Sequence, residues 1–282
     1  MILVAGGTGR LGTLVVSGLA GRGLKVRVLT RDPARASHLV AAGAEIVRGD
    51  VRDRPSIQRA MADIDTAVSA VHGFAGPGRV TPASVDRDGN ANLIEAAAAV
   101  HADVVLVSVV GASSDHPMEL FRAKHQAEQC LRGSSTSWTI VRATAFVELW
   151  ADIMSNPIVF GRGDNPINFV SVRDVAAVVE RAIVDTSLRG QIVEVGGPEN
   201  LTFNQLVASL LELRGQRRKV WHVPRGMLRV MAPTSRRARA AIAMDTTEMT
   251  FQPSTAPCPV RLPMTDIRTA LTRASARDGL AE

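Results

Sequence analysis

The 282-residue chain contains no tyrosine, and its seven phenylalanines and three tryptophans bring aromatics to only 4%. A surface that stacks single-stranded bases needs aromatic rings interleaved with cations, and little here could build one. The two cysteines, Cys130 and Cys258, have no CxxC spacing and no histidine at ligand spacing. That pattern excludes a zinc ligand set and a disulfide framework, and predicts reduced packing residues in a metal-free protein. Long apolar runs are also missing. The longest, from Ala96 to Val110, is interrupted by His101 and Asp103, so no membrane-spanning helix is expected. The run Met1–Ala5 is too short for a signal-peptide core and lacks a basic flank, which predicts a cytoplasmic protein. Acidic residues are absent between Arg214 and Met244, where nine basic ones stand. With only Trp221 nearby, these read as the charged outer face of packed C-terminal helices carrying Trp221, Met227, Leu228 and Met231, with no specific nucleic-acid partner expected.

What is present is a core. Hydrophobic residues make up 46% and charged ones 21%, ordinary for a globular chain. Short Val/Ile/Leu-rich runs at Ile2–Ala5, Lys25–Leu29, Glu45–Val47, Thr66–Ala70, Val104–Val109 and Thr139–Val141 read as strands buried on both faces. Helical patterns fall between them at 10–21, 33–42, 54–62, 84–100 and 117–132. Such alternation predicts an α/β fold, a Rossmann-type doubly wound parallel sheet with ligands at its carboxyl edge. After residue 145 the rhythm changes. Helical patterns at 172–185 and 202–213 flank a strand at Gln191–Val195, and Pro157, Gly161, Gly163 and Pro166 predict a loop. The expected organisation is a nucleotide-binding core over 1–145 and a smaller, dependent lobe over 146–282.

The segment Gly6-Gly7-Thr8-Gly9-Arg10-Leu11-Gly12 follows the first strand and opens the first helix. Gly6 permits the tight turn, Gly9 lets backbone approach a pyrophosphate, and Gly12 lets helix and strand pack closely. A helix N-terminus there offers unpaired N–H groups to phosphates. The second strand ends Val28-Leu29-Thr30-Arg31, where an NAD site usually carries a carboxylate. Arg31, with Arg10, suits a 2′-phosphate and so predicts NADP. Asp32, the next residue, keeps NAD as the alternative.

In these features the sequence resembles the short-chain dehydrogenase/reductase superfamily, in its atypical NmrA-like branch. Further matches are Gly49-Asp50-Val51, Ser69-Ala70-Val71, Leu106-Val107-Ser108, Lys124, Trp138 to Arg142, Phe169 to Val175 and Val195 to Pro198. The resemblance implies that Asp50 and Val51 flank an adenine, that Ala70 and Val71 line the ribose and pyrophosphate path, and that Ser108 belongs to the cofactor site. It puts Lys124 at the nicotinamide ribose as a cofactor-orienting residue, and Asp174 at a helix start, as an N-terminal cap.

The departure lies in the Tyr-x-x-x-Lys pair that the main branch of the superfamily uses. Four residues before Lys124 stands Leu120, and no tyrosine exists elsewhere to take its place. No catalytic acid is therefore assigned. His72, His116 and His125 are the histidines near the carboxyl edge or its helices. His125 reads as a surface residue, and His72, though better placed, as a solvated loop residue. The expected activity is hydride transfer from NADP(H) to a small quinone or conjugated carbonyl, where water can protonate the stabilised oxyanion afterwards. The alternative is a catalytically silent NADP(H) sensor, with a homo-oligomer or a protein partner open in either case.

Overall fold

The computed structural model describes residues 1–74, 76, 78–252, 260 and 262–278. The chain forms two compact units. One comprises Met1–Arg142 with Val175–Glu194, and the other Ala143–Asp174 with Val195–Glu282. Part of the expected C-terminal lobe thus belongs to the first unit.

Up to residue 143 the elements run β1 (Ile2–Ala5), α1 (Arg10–Gly21), β2 (Val26–Thr30), α2 (Ser37–Ala41), β3 (Glu45–Arg48) and α3 (Arg54–Ala60). Then come β4 (Thr66–Ser69), α4 (Asp88–Ala99), β5 (Asp103–Val109), α5 (Glu119–Arg132) and β6 (Trp138–Ala143). Beyond them lie β7 (Ala145–Phe146), α6 (Val147–Ile153), β8 (Ile158–Phe160), β9 (Pro166–Val170), α7 (Val172–Val184) and β10 (Ile192–Val195). The last are β11 (Asn200–Thr202), α8 (Phe203–Leu213), β12 (Trp221–Val223), α9 (Arg225–Met231), α10 (Arg236–Thr246) and α11 (Ile267–Asp278).

Seven strands form the sheet of the first unit in the order β10-β6-β5-β4-β1-β2-β3. The order reverses between β1 and β4, and both pair in parallel, Ala5 opposite Ser69 and Leu29. In open α/β sheets such a reversal marks the ligand crevice outside the carboxyl ends of the strands. Every residue of β1, β2 and β4 is buried, as unalternated Val/Ile/Leu runs require. Leu11, Val15, Val16 and Leu19 form the buried stripe of α1, at the spacing of one helical face. Leu3, Leu106, Leu93, Ile57 and Ile140 share one core with Ala97 of α4.

Two expected helices are divided. Asp32 caps a 3₁₀ turn, Pro33–Ala36, before α2 begins. A wide π-type turn, Pro82–Arg87, precedes α4 and is closed by reciprocal Thr81 and Ser84 hydrogen bonds. Cys130 is free and exposed on α5 instead of packed, and Cys258 lies outside the described residues.

The second unit holds two small sheets, β11-β9-β7 and β12-β8. Trp150 and Phe169 flank Phe203, with ring centroids 4.8 and 6.0 Å away. The expected loop between Pro157 and Pro166 contains β8, because Ile158–Phe160 pairs with Trp221–Val223 more than sixty positions later. Asp174 does not cap α7. Its carboxylate accepts from the Thr265 backbone and hydroxyl, both at 2.7 Å, while Glu148 accepts from Val172 N at 2.9 Å and Ser171 Oγ from Arg173 N. The basic stretch is solvated, but its apolar residues do not pack as expected. Leu228 is buried, whereas Trp221, Met227 and Met231 are exposed, and Lys219 sits 5.3 Å over the Trp221 ring. Among the described residues no helix is long and apolar enough to cross a membrane.

Candidate functional site at the strand-order reversal

The loop after β1 is a close-packed turn. Gly6 has φ +85°, and a Cβ there would lie 2.6 Å from the Ala70 carbonyl oxygen. A Cβ on Gly12 would meet the Gly6 oxygen at 2.2 Å. Both positions exclude any side chain, Gly6 through its backbone conformation as well. Gly9 N bonds to Gly6 O and Thr13 Oγ1 to Gly7 O. Gly9 is the N-cap of α1 and offers no side-chain cap, and the first turn carries no acidic residue. The helix therefore opens with N–H groups that no side chain caps and a positive dipole end, the chemistry that holds a pyrophosphate. Leu11 turns into the core, so its part in such a site is through the backbone. Thr8, Gly9 and Arg10 keep surface in solvent.

Arg31 is exposed at the end of β2. Asp32, the residue that favoured NAD, has its carboxylate engaged by Ala34 N at 3.1 Å. Beside them, Asp50 accepts from Arg52 N and from the Arg52 guanidinium at 2.6 Å. Burial works to raise the Asp50 carboxyl, but those hydrogen bonds and the charges of Arg52 and Arg31 hold it below the ordinary value. It is an anchored anion within the field of Arg31. Val51 is buried against Gly89 of α4.

On the other side of the reversal lies Ala70-Val71-His72-Gly73, the loop after β4. Ala70 N bonds to Ala5 O at 2.9 Å, which ties this loop to the end of β1. Lys124, only 4% exposed, reaches the loop from α5. Its Nζ donates to Val71 O at 3.0 Å and Val107 O at 2.8 Å. It also stands 3.1 Å from Asp86 Oδ1, which is buried and makes no aligned hydrogen bond, so that contact is one of charge. Two of the three ammonium donors are thus spent on main-chain carbonyls, so the lysine is not an exposed helix residue. Asp86 Oδ2 accepts from Gly73 N at 2.7 Å. Asn90 Nδ2 donates to Asp86 O, and Ser69 Oγ bonds to Asn90.

Ser108 is 2% exposed and donates to Glu128. Glu128 in turn binds Arg142 through two hydrogen bonds of 3.0 and 2.6 Å. The Glu128 hydrogen bond is the main cause that raises the Arg142 guanidinium above its usual value. The Ser108 hydroxyl is therefore engaged inside the fold. Sequence reading overlooked Asp86, Asn90 and Glu128. The Thr81-Pro82-Ala83-Ser84 capping pattern, which closes the wide turn, was the signal that could have pointed to Asp86.

The three histidines separate clearly. His116 stacks on Phe121, centroids 3.9 Å apart, and its Nδ1 accepts from Met118 N at 3.1 Å. His125, expected at the surface, is half-buried, with a buried Nδ1 lacking a partner. His72 is exposed on the loop after β4. Among the described residues no cluster of His, Cys, Asp and Glu could hold a metal.

In the second unit, Asp245 of α10 accepts from Arg162 N and Gly163 N at 3.1 and 2.9 Å and pairs with Arg225. The Arg162-Gly163-Asp164 triplet is thereby a pinned turn, with Asp164 also accepting from Asn204 at 2.9 Å.

Residues 6–186 match the sequence model of a family described as NAD(P)H-binding. A (4-alkanoyl-5-oxo-2,5-dihydrofuran-3-yl)methyl phosphate reductase from Streptomyces griseus is 33% identical over 221 residues, 77% of this chain and 74% of that protein. An NAD(P)H azoreductase from Xenophilus azovorans is 29% identical over 223 residues, with the same shares of 77% and 74%. The crystal structure of an NADPH-dependent quinone oxidoreductase from Escherichia coli, complexed with NADPH, superposes with a TM-score of 0.77 at 20% identity. That superposition covers 97% of this chain and 99% of the other, and it shows a shared fold.

Proposed function

The chain belongs to the NAD(P)H-binding family, and from that membership we propose that it is an NADP(H)-dependent oxidoreductase acting on a small quinone or conjugated carbonyl. The observation that carries the reading is the turn at the strand-order reversal. Gly6 and Gly12 admit no side chain, the N-terminus of α1 has no side-chain cap, and Arg31 is exposed at the end of β2. A dinucleotide pyrophosphate suits the first two features, and a 2′-phosphate suits Arg31 with Arg10.

When bound, the cofactor supplies a hydride. The chain's own residues bind and orient. The backbone from Gly6 to Gly12 receives the phosphates, while Arg31 and Asp50 frame the adenosine end. Lys124 acts through Val71, fixing the loop that borders the nicotinamide end. Orientation of this kind contributes to rate by holding reacting atoms in line. Relatives named as reductases support catalysis over the silent sensor. A cytoplasmic setting suits the use of this cofactor.

Calorimetric titration with NADPH and NADH tests the cofactor assignment. NADPH should bind at least tenfold more tightly, and replacing both Arg10 and Arg31 by Ala should remove the preference by weakening NADPH alone, a change of about 1.5–3 kcal/mol. Equal affinities in the parent protein would overturn the role of the arginines. Oxidation of NADPH on addition of a benzoquinone or naphthoquinone, followed by absorbance, tests the reaction.

A further inference from the structure

A reductase of carbonyl acceptors must place a proton on oxygen, and this chain has no tyrosine for the purpose. His72 lies three residues beyond β4, at the strand-order reversal, where the crevice of an open α/β sheet forms. Its main chain is clamped on both sides. Val71 O is held by Lys124 at 3.0 Å, and Gly73 N by buried Asp86 at 2.7 Å. Gly73 also packs so closely that a Cβ would lie 2.2 Å from Thr81 O. Between these fixed points His72 is an exposed residue. A clamped backbone presenting an imidazole beside the glycine turn is how a reacting group is preorganised. His116 and His125 are tied up or half-buried elsewhere.

We propose that His72 is the proton donor of the reaction. This rests on the reductase reading above. In the step, a dihydronicotinamide C–H bond breaks with its electron pair and a bond to hydrogen forms on the acceptor. NADPH is oxidised to NADP⁺ and the acceptor is reduced by two electrons. The negative charge appears on the acceptor's oxygen, the His72 imidazolium N–H breaks, and an O–H bond forms. The neutral ring then takes a proton from water.

The charged groups that face the ring are Asp86, from the turn before α4, and Lys124, from α5. Although the residue as a whole is exposed, desolvation is the largest influence on the ring. That desolvation, with the Lys124 ammonium, outweighs Asp86 and a hydrogen bond to the Phe74 backbone, and keeps the ring below the usual 6.5. The acid form therefore fills as pH falls, and turnover should climb toward the acid side.

The test compares parent and His72→Gln with a quinone at saturating NADPH from about pH 5.5 to 8.5. Parent turnover should rise as pH falls. The variant should be flat, and on the order of 100-fold slower at the acid end, with NADPH affinity within about twofold. A parent-like rate and pH profile in His72→Gln overturns the proposal while leaving the reductase reading intact. A second measurement follows the His72 ring resonance by NMR as NADP⁺ is added. It should move in step with saturation. If the parent reduces no acceptor, the reductase reading falls and this titration decides placement by itself. A resonance that stays still would show that His72 is not at the nicotinamide.

Discussion

Removing the Lys124 ammonium would leave Asp86 a carboxylate with neither solvent nor cation. The two side chains are 4% and 0% exposed, so water cannot substitute for the lost partner. Breaking a buried pair on one side costs about 3–5 kcal/mol, which for a chain of this size is roughly 10 °C in Tm. Lys124→Met should show that loss together with weaker NADPH binding, because Val71 loses its hold. Restoring neutrality with Asp86→Leu in the same protein should recover part of the Tm but not the affinity. Thermal melts and calorimetry of the parent and the two variants check this, and an unchanged Tm in Lys124→Met would contradict the ion pair. The sequence placed this lysine on the helix after β5, where the structure has it. Its partners could not be read, because Asp86 is 38 positions away and the other acceptors are main-chain carbonyls, which no residue type announces.

Among the elements, those most legible in sequence were the ones that signal locally. β1 carries four consecutive buried apolar residues, and α1 begins at a glycine turn and ends at Gly21, so its bounds could be read directly. β8 and β12 are three residues each and exist only through one another. α9 and α10 carry five arginines between them and little apolar periodicity, so neither declared itself. What organises this region is Asp245, whose side chain is 1% exposed. Burial works to raise its carboxyl, but Arg225 and the Gly163 and Arg162 amides outweigh it and hold it below 3.8. A lowered folded value means stability that is present above the unfolded value and lost as pH falls through the folded one. Asp245→Asn should therefore be less stable than the parent by about 1–3 kcal/mol at neutral pH. The gap should narrow only below about pH 3.8. Denaturant melts at several pH values measure it, and a gap that closed already near pH 6 would point to some other group.

At the scale of the whole molecule, the alternation of strands and helices was enough to read the doubly wound sheet, and the family match agrees with it. The reading of 146–282 as one block had no means of showing that Val175–Glu194 returns to the first unit. Helix α7 looks the same in sequence whichever unit it serves, since its pattern reports burial and not the identity of its neighbours. A fragment ending at Arg142 should consequently fail to fold cooperatively, although it contains the glycine turn and Lys124. It lacks β10 and all of α7. Circular dichroism with a thermal melt checks this, and a sharp transition in the fragment would contradict it.

The interleaving also sets an order of events during synthesis. The sheet begins with β1 but its edge is closed by β10, and the segment from Ala143 to Asp174 leaves the ribosome between β6 and that edge. At the usual pace of translation the interval is roughly 3 to 10 s. Throughout it β6 presents unpaired backbone groups on one side, the kind of edge that recruits strands from other chains. The nascent protein is thus most exposed to misassembly after its glycine turn has emerged and before its last sheet strand has. A ligand that gripped the early strands in that window would favour correct closure by binding only the ordered form.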